Sequence, residues 1–494
     1  MFLRFPFYGR MALRKKRRIK TKKMINKKTK IIATVGPASD SPSEIKEMIK
    51  AGVDVFRFNT KHSTIEWHNE RIKRVQSLAR QAKRNIGIMI DLQGSEIRIE
   101  TKNGQDVLVR QNDFFHIGFT SSEDTIITIP DQVVFNKLKT GDKVLIDDGA
   151  IELKIIGRKS NIIEAKVIEG GIIKNRKSLN FPGANVRLSS LIKRDLDNLD
   201  SVAKNKVNFI ALSFVSSADD LKILKREMKK RKIESLMVAK IENQSAIDNI
   251  DEIIDESDAI MIARGDLGIE VPIERLAFWQ KEIIKKCRLK RKPVIVATQM
   301  LHSMVENPRP TRAEATDVAN AVLDGTSAVM LSEETAMGSY PVKSVTEMAK
   351  ILEFNEKNSS FDNIEGITFN PTEFVVGAIT KELEKKNAIS QLKIKAVVVF
   401  TESGYTARVI SAFRPKINIV AITNNKETFG ALSLSYGVNC HHAAIDFNNL
   451  RIPKSIINSL KRTNDLKKGD TVAVFHGRYE KNPDFLNLFS LTRI

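Results

Sequence analysis

Residues 237–270 read MVAKIENQSAIDNIDEIIDESDAIMIARGDLGIE and contain two short apolar runs separated by a helix-like segment. The runs MVAKI and AIMIA have the length and composition of buried strands, and the segment between them has apolar residues at helical spacing. Strands joined through a helix in this way pair in parallel. Glu242 and Asp266 each follow one strand, with Lys240 and Arg264 beside them. We therefore expect both carboxylates at one edge of the sheet, close enough to hold one divalent cation.

The alternation of strand and amphipathic helix recurs along much of the chain. The apolar runs, eight in all, are TKIIATVG, VDVFRFN, NIGIMID, NFIALSF, SLMVAKI, AIMIARGD, PVIVATQ and SAVMLSEE. Eight such repeats over residues 29–98 and 184–357 predict a closed (β/α)8 TIM barrel, an α/β fold of about 250 residues. At the first helix, Ser41 in the capping position and Pro42 in the first turn predict the helix start.

Two further segments have different patterns. Residues 99–183 interrupt the barrel after its third strand with short alternating runs such as TIITIP and IELKIIG, divided by Gly, Asn and Asp. This pattern predicts a small antiparallel β-barrel, and its position at the catalytic end of the larger barrel predicts a lid. Residues 358–494 contain the buried-type strands KAVVVFTESG, INIVAITNN and DTVAVFHGR. They predict a separate C-terminal α/β domain with a mostly parallel sheet.

The net charge of +22 is concentrated at the beginning of the chain. Residues 1–30 contain thirteen of the 81 lysines and arginines and no acid, so the other residues carry only +9. We expect residues 1–28 to be a disordered basic extension, with a targeting segment or an upstream start codon as alternatives. We expect a cytoplasmic protein, and organellar targeting by this extension is the alternative.

Composition excludes several classes of protein. A hydrophobic content of 42% and an aromatic content of 6% are typical of an ordinary globular chain. No apolar run approaches the ~20 residues of a membrane span. No aromatic-interleaved basic face or recognisable module predicts nucleic-acid binding. Cys287 and Cys440 are the only cysteines, which excludes a disulfide framework and favours a reducing compartment.

Polar residues follow most of the predicted barrel strands, where the active sites of such barrels lie. In chain order they are Arg57, Asn59, Lys61, His62, Asp91, Glu96, Arg98, Lys240, Glu242, Gly265, Asp266, Thr298, Gln299, Ser332 and Glu334. Any one of them is as compatible with a solvated barrel end as with a site. The whole set, with paired acids beside several cations, favours a metal-assisted site for phosphate or an enolate.

Nine motifs together closely resemble the pyruvate kinase family. They are TKIIATVGPAS, VFRFN, DLQGSEIR, LNFPGANVRL, AKIEN, ARGDLGIE, PVIVATQML, PRPTRAEATDVANAVLDG and LSEETA. The resemblance runs from about Thr29 to the C-terminus and includes the inserted and C-terminal domains. It implies transfer of a phosphoryl group from phosphoenolpyruvate to ADP, giving pyruvate and ATP, with Mg²⁺ as cofactor. The chain contains neither GxxxxGK[ST] nor GxGxxG, the commonest phosphate-binding motifs.

The matched positions divide by implied role. The implied magnesium ligands are Glu242 and Asp266. The implied catalytic and substrate-binding residues are Arg57, Arg98, Lys240, Gly265, Asp266, Thr298 and Ser332. The implied nucleotide contacts are Asn59, His62, Arg98 and Lys177, the last two at the hinges of the inserted domain. Within this set, Lys240 and Arg57 would bind the phosphoryl group, and Thr298 with Ser332 would deliver a proton to the enolate.

The chain departs from the family pattern at the monovalent cation site. Asn59, Asp91 and Leu92 match potassium ligands, but Lys61 stands where the family usually has serine. Our hypothesis is that the Lys61 ammonium occupies or weakens the potassium site. Glu96 favours the opposite outcome, because an acid there usually accompanies potassium dependence in this family. Glu333 also replaces a small residue after the eighth strand, and we expect its side chain to point to solvent.

Four residues in the third domain predict an anion site. Thr401, Ser403, Gly404 and Thr406 open a helix after a strand, where backbone amides and hydroxyls gather. The resemblance implies a sugar-phosphate or nucleotide effector there, with a ligand-free helix cap as the alternative. It also implies a homotetramer.

Two other classes of function remain open. A magnesium-dependent pyruvate-enolate lyase or aldolase-type barrel would use a similar acid pair, but it would lack the inserted domain with Arg98 and Lys177. A non-catalytic basic relative is suggested only by the charged extension. The presence of Lys240, Glu242 and Thr298 favours catalysis.

Overall fold

The computed structural model describes residues 27–122, 125–183, 189–358, 371–384, 392–445, 452, 454–463, 469–477 and 488–493. The predicted extension lies outside these residues except for Lys27 and Lys28. Among the described residues, no helix has the length and apolarity needed to cross a membrane.

The barrel begins with three strands and two helices. They are β1 (Lys30–Thr34), α1 (Pro42–Ala51), β2 (Val55–Asn59), α2 (Ile65–Ala82) and β3 (Gly87–Asp91). Ser41 accepts a hydrogen bond from the Glu44 amide at the start of α1, with Pro42 in the first turn, as predicted. Gly52 ends the helix in the left-handed region, where glycine has no steric penalty.

The inserted domain has its own core and two sheets. Its elements are β4 (Glu100–Thr101), a 3₁₀ turn (Lys102–Gly104), β5 (Val107–Val109), β6 (Phe114–Gly118), β7 (Thr125–Thr128), α3 (Gln132–Lys137), β8 (Lys143–Ile146), β9 (Ile151–Lys159), β10 (Ile162–Glu169), β11 (Gly171–Ile173) and β12 (Leu179–Asn180). Seven strands form one sheet in the order β12-β8-β9-β10-β6-β7-β4, and β5 pairs with β11. The domain therefore packs around a separate set of buried apolar side chains.

One strand pair in this domain differs from the antiparallel prediction. Strands β6 and β7 run parallel, and the other pairs of this domain are antiparallel. The short connection between them turns tightly at Gly118, where a Cβ atom would lie 2.6 Å from the Thr120 carbonyl oxygen. A close approach of this kind requires glycine, and periodicity alone does not reveal it.

The remaining five barrel strands follow the inserted domain. The elements are α4 (Lys193–Asn205), β13 (Phe209–Leu212), α5 (Ala218–Lys230), β14 (Leu236–Ile241), α6 (Gln244–Asp248), α7 (Ile250–Glu256), β15 (Ala259–Ala263), α8 (Arg264–Glu270), a 3₁₀ turn (Ile273–Arg275), α9 (Leu276–Leu289), β16 (Val294–Ala297), a 3₁₀ turn (His302–Val305), α10 (Arg312–Asp324), β17 (Ala328–Leu331), α11 (Glu333–Ala336) and α12 (Pro341–Asn358). All eight strands pair in parallel and close in the order β1-β17-β16-β15-β14-β13-β3-β2. The predicted TIM barrel is confirmed.

The third domain is a five-stranded sheet with helices. Its elements are α13 (Pro371–Glu384), β18 (Ile394–Thr401), α14 (Tyr405–Ala412), β19 (Asn418–Thr423), α15 (Lys426–Ala431), a 3₁₀ turn (Leu432–Leu434), β20 (Val438–His442), α16 (Lys454–Thr463), β21 (Thr471–Gly477) and β22 (Leu488–Arg493). The order is β20-β19-β18-β21-β22, with only β22 antiparallel. This agrees with the predicted mostly parallel sheet.

The first described residues join the barrel to the third domain. The Lys27 ammonium pairs with Asp54 at the base of the barrel. The Lys28 ammonium donates to the carbonyl oxygens of Pro415 (2.7 Å) and Lys416 (2.6 Å). Residues 27 and 28, assigned from the sequence to the disordered extension, therefore belong to the folded body, because their charges have fixed partners there.

Candidate active site

Lys240 lies at the carboxyl end of β14 and contacts two acids. Its ammonium is 2.9 Å from Glu242 Oε1 and 3.2 Å from Asp91 Oδ1, and it donates to Ser213 Oγ at 2.7 Å. Burial alone would lower the pKa of this lysine, but the carboxylates of Asp91 and Glu242 outweigh burial and raise it. The site therefore contains a permanently charged ammonium group.

Arg57, at the end of β2, shares an acid with Lys240. Its Nε and Nη2 atoms both lie 2.7 Å from Asp91 Oδ2, and Nη1 donates to Thr34 Oγ1 at 3.0 Å. The Asp91 side chain is only 1% exposed. Burial acts to raise the pKa of Asp91, yet Lys240 and Arg57 together hold it below its usual value. Asp91 thus fixes the positions of both cations.

Glu242 directly follows β14, and Asp266 lies in the first turn of α8 after β15; the two strands are neighbours, and their parallel register pairs Ile241 with Ile262. Glu242 Oε2 also accepts a hydrogen bond from the Phe214 amide at 2.7 Å. Burial raises the pKa values of both acids, and the Asp266 carboxylate adds to the rise at Glu242. The buried Glu242 and the half-buried Asp266, whose charge opposes ionisation of Glu242, fit a divalent cation.

The donor set supplied by the protein is small. Among the described residues, no group of three or more His, Cys, Asp and Glu could hold a metal ion. Glu242 and Asp266 would therefore need oxygen atoms from substrate and water to complete the ligand shell. Mg²⁺ commonly binds in this way, through one or two carboxylates plus substrate phosphates.

Thr298, at the end of β16, has a strained backbone. Its φ angle is 71° and that of Gln299 is 52°, in a region that β-branched residues rarely adopt. Thr298 Oγ1 accepts a hydrogen bond from the Gly265 amide at 2.7 Å and donates to the Ala297 carbonyl oxygen at 2.6 Å. The strained turn therefore connects the ends of β16 and β15.

The turn that follows the eighth barrel strand, β17, is also held by hydrogen bonds. Glu334 is buried and accepts hydrogen bonds from the backbone amides of Ser332 (2.7 Å) and Leu301 (3.0 Å). The Ser332 side chain is half-buried, whereas Glu333 is exposed. The prediction that Glu333 points to solvent is confirmed.

Arg264 does not neutralise the acid pair, contrary to its predicted position. Its guanidinium donates to Asp317 Oδ1 at 2.8 Å and to the Thr298 carbonyl oxygen at 2.9 Å. The side chain turns towards α10 because Asp317 offers it a carboxylate there. Sequence adjacency to Asp266 could not show this direction.

The predicted nucleotide contacts are paired with acids. Glu96 Oε2 lies 2.8 Å from Arg98 Nη2 and 3.1 Å from the Lys61 ammonium. The Lys177 ammonium lies 2.7 Å from Asp147 Oδ1. Residues Arg98 and Ser178 form a β-bridge between the two hinge segments, which brings Arg98 and Lys177 to the same junction.

The other two predicted nucleotide contacts lie on the turn after β2. The side chain of Asn59 accepts a hydrogen bond from the Lys61 amide at 3.1 Å, and the His62 amide donates to the Asn59 carbonyl oxygen at 3.3 Å. Burial, together with the charge of Lys61, lowers the pKa of His62. Of the remaining predicted potassium ligands, Leu92 follows β3 and its carbonyl oxygen accepts from Ser213 Oγ at 2.8 Å.

A cavity of about 290 Å³ lies between the barrel and the inserted domain. Lys61, Glu96, Ser178, Ser213 and Asp266 are among the residues that line it. Its size is close to the lower end of the range for small-molecule sites. Asp266 of the acid pair therefore faces this cleft, together with Lys61, Glu96 and Ser178, which neighbour the predicted nucleotide contacts in the sequence.

Sequence reasoning missed three contacts of this cleft. Ser213 ends the fourth barrel strand, and the strand-end rule that found the other candidates would have found it too. Phe214 presents its amide to Glu242 only because its φ angle is 54°, which is rare for an aromatic residue. Asn180 Nδ2 donates to Glu270 Oε1 at 2.9 Å and connects the inserted domain to α8, a long-range contact that local patterns do not show.

The predicted effector residues cluster at the start of α14. Thr401 Oγ1 accepts a hydrogen bond from the Gly404 amide at 3.0 Å, and Gly404 has a left-handed φ angle of 78°. Ser403 is exposed and Thr406 is buried. The four residues lie together at this helix start, and Thr401 and Thr406 have little access to solvent.

Comparisons with known proteins give one consistent result. The family models "Pyruvate kinase, barrel domain" and "Pyruvate kinase, alpha/beta domain" match residues 26–345 and 385–491. A pyruvate kinase of Thermococcus litoralis is 40% identical over 463 residues, which cover 91% of this chain and 95% of that protein. One of Agrobacterium vitis is 41% identical over 421 residues, which cover 84% of this chain and 87% of that protein.

A solved structure is also similar. The crystal structure of a pyruvate kinase from Cryptosporidium parvum has a TM-score of 0.85 to this chain and 30% sequence identity, with 95% of this chain and 96% of that chain covered. The similarity in sequence and in fold thus extends over the barrel, the inserted domain and the third domain. On this evidence, the chain belongs to the pyruvate kinase family.

Proposed function

We propose that this protein transfers the phosphoryl group of phosphoenolpyruvate to ADP, giving pyruvate and ATP. The observation that carries the proposal is the pair of buried cations, Lys240 and Arg57, held by Asp91 beside the acids Glu242 and Asp266. The choice of phosphoenolpyruvate and ADP as substrates rests on family membership, because the relatives are named pyruvate kinases.

Glu242 and Asp266 would hold Mg²⁺. When bound, the metal ion supplies positive charge to the oxygen atoms of the substrate. The protein's own contribution is electrostatic. Lys240 and Arg57 stabilise the charge on the phosphoryl group, and Lys240 also stabilises the enolate oxygen that it leaves. Arg57 already uses Nε and Nη2 for Asp91, so its position is fixed before substrate binds.

Thr298 is the residue that we propose for delivering a proton to the enolate carbon, with Ser332 as a relay. The Thr298 hydroxyl proton points to the Ala297 carbonyl oxygen. Donation to substrate therefore requires the hydroxyl to exchange this hydrogen bond. The backbone at Gly265 and Asp266 would receive the substrate carboxylate; the Gly265 amide donates to Thr298 Oγ1 at 2.7 Å, and this bond would have to be exchanged for one to the carboxylate.

The nucleotide would bind between the barrel and the inserted domain. Arg98 and Lys177 lie at the two hinges, with Asn59 and His62 on the facing turn. The acids Glu96 and Asp147 now pair with the two hinge cations. The phosphates of ADP would replace these acids as partners, which ties nucleotide binding to the position of the inserted domain.

A coupled assay of pyruvate formation tests the proposed reaction. We expect pyruvate from phosphoenolpyruvate only when both ADP and Mg²⁺ are present. Pyruvate formed without ADP would indicate a lyase or phosphatase reaction instead. No pyruvate under any condition, from protein with an intact thermal unfolding transition, would indicate a non-catalytic relative.

The position of Lys61 bears on whether activity depends on K⁺. We propose that Lys61 supplies the positive charge that K⁺ provides elsewhere in the family, because its ammonium is 3.1 Å from Glu96. We therefore expect activity to be unchanged when tetramethylammonium replaces K⁺ at constant ionic strength. The variant Lys61→Ser is expected to require K⁺. A wild-type protein that loses activity without K⁺ would contradict the proposal.

We also propose a homotetramer and an anionic effector at the start of α14. Exposed apolar side chains support self-association, among them Ile273 and Phe278 on the barrel and Leu491 on the edge strand β22. Light scattering would show four times the 55.6 kDa chain mass if this is correct. The effector site is supported by the common location of four residues at the start of α14, namely Thr401, Ser403, Gly404 and Thr406.

A further inference from the structure

A small cavity lies where the base of the barrel meets the third domain. Its volume is about 20 Å³. Arg288, Arg291 and Lys292 line it from the end of α9 and the turn that follows, and Arg408 and Arg414 line it from α14 and the residues after it. No acidic residue is among the residues that line the cavity. Five cationic side chains therefore surround a space that contains no protein carboxylate.

Four of these cations, Arg291, Lys292, Arg408 and Arg414, donate hydrogen bonds to backbone carbonyl oxygens, and Arg414 also bonds the Tyr436 side chain. Arg291 Nη1 donates to the carbonyl oxygens of Arg288 (3.1 Å) and Leu289 (2.8 Å). The Lys292 ammonium donates to the Ser257 carbonyl oxygen at 2.6 Å, and Arg414 Nη2 to that of Thr326 at 2.6 Å. Carbonyl oxygens orient a cation but do not cancel its charge. Burying charge without a counter-charge is costly.

Several acids act on these cations from outside the cavity wall, among them Glu356 on Arg414 and Asp255 on Lys292. Glu373 Oε2 is 3.7 Å from Arg291 Nη2, and Glu373 Oε1 accepts from the Tyr405 hydroxyl at 2.7 Å. Asp258 attracts Lys292 and Arg408 electrostatically, and its side chain accepts from the Met237 amide at 2.8 Å. The acids reduce the positive potential of the cavity without occupying it.

Two observations indicate that the positive charge is incompletely compensated. Burial lowers the pKa of Arg414 to about 10, and burial also lowers the pKa values of Arg408 and Lys292. Arg291 Nε and Ser435 Oγ are buried, and neither has a hydrogen-bond partner among the described residues. Both residues line the cavity. Buried donors without partners are rare and mark a missing ligand or water.

We propose that this cavity binds one monatomic anion of the chloride class. A space of this volume holds a single water-sized species, whereas a tetrahedral oxyanion is several times larger. An arginine N–H and a serine hydroxyl are suitable donors to a halide. The anion would join α9 of the barrel to α14 of the third domain. It would thereby stabilise the contact between the two domains.

Bromide, an anomalous scatterer, locates the site directly. Crystals of the full chain soaked in sodium bromide should show an anomalous peak within hydrogen-bond distance of Arg291 and Ser435. In solution, replacing gluconate with chloride at constant ionic strength should raise the melting temperature by roughly 1–2 °C if chloride reaches about ten times its dissociation constant. Gluconate is too large for the cavity.

Two variants and one control complete the test. Arg291→Met and the milder Ser435→Ala should each reduce the chloride-dependent rise, and the exposed control Arg80→Met should retain it. The Ser435 hydroxyl has no partner among the described residues, so its removal leaves the folded state intact. A cavity without a bromide peak would overturn the proposal. So would a chloride response that persists in both variants.

Discussion

The variant Lys240→Met is expected to lower kcat by at least roughly 10²–10³-fold, the cost of losing one preorganised electrostatic contact in an active site. The Lys240 ammonium is the only group within 3.2 Å of both Asp91 and Glu242 among the described cations. Methionine fills a similar volume but brings no charge to the phosphoryl group or the enolate oxygen. Turnover is measured with the coupled pyruvate assay at saturating Mg²⁺.

Lys240→Met is also expected to destabilise the metal-free protein, by about 3–5 kcal/mol. Asp91 and Glu242 are each 1% exposed, so the substitution leaves buried carboxylates without their shared cation. Added Mg²⁺ should recover part of this loss if the proposed ligands Glu242 and Asp266 bind it, since both remain in the variant. Chemical denaturation with and without Mg²⁺ measures both effects. The control Lys350→Met removes an exposed lysine that pairs with Glu347 and should change neither activity nor stability. Retained turnover in Lys240→Met would show that the role of Lys240 is assigned wrongly.

The variant Asp91→Asn is expected to have the second largest effect, a fall in kcat/KM of roughly 10²–10³-fold. Arg57 and Lys240 both contact the Asp91 carboxylate, and an amide can accept from them only through one neutral oxygen. Both cations would then be free to adopt other rotamers. Positioning of two substrate-binding groups would be lost although both groups remain.

The activity of Asp91→Asn at high K⁺ concentration distinguishes two explanations for the expected fall in kcat/KM. If Asp91 acts by positioning Arg57 and Lys240, the loss persists at saturating K⁺. If Asp91 acts as a potassium ligand, high K⁺ should restore activity. The matched control is Asp200→Asn, which removes an acid from an exposed pair with Arg231 and should cost no more than about 1 kcal/mol. Restoration of activity by K⁺ would refute the positioning role.

The architecture of the barrel could be predicted because its evidence is local and repeated. Each strand is a short apolar run, and several helices have their own start signal, as at Ser41, Thr64 and Thr311. The same regularity located Glu242 and Asp266, since parallel strands of one register end at one edge. The candidate site residues could be named because they come directly after the barrel strands, and no knowledge of their contacts was needed.

Contacts between distant segments could not be predicted in this way. The bonds from Asp91 to Arg57 and Lys240 depend on how the closed barrel aligns β2, β3 and β14. The direction of Arg264 depends on Asp317, which follows it by more than fifty residues. Lys27 and Lys28 resemble the rest of a basic extension in sequence. Only their partners in the folded chain distinguish them.

The first described residues contact segments that are far along the chain, and this has a consequence for protein synthesis. Strand β1 pairs with β17, Lys30 lying beside Ala328, and the amides of Lys28 and Thr29 donate to Glu356 at 2.7 and 2.6 Å. Such contacts have a high contact order and form slowly. On the ribosome, β1 emerges first and must remain without these partners until α12 and the third domain have been translated. During that interval the edge of β1 that later pairs with β17 is open to aggregation, and we therefore expect nascent chains of this protein to bind chaperones until translation is nearly finished.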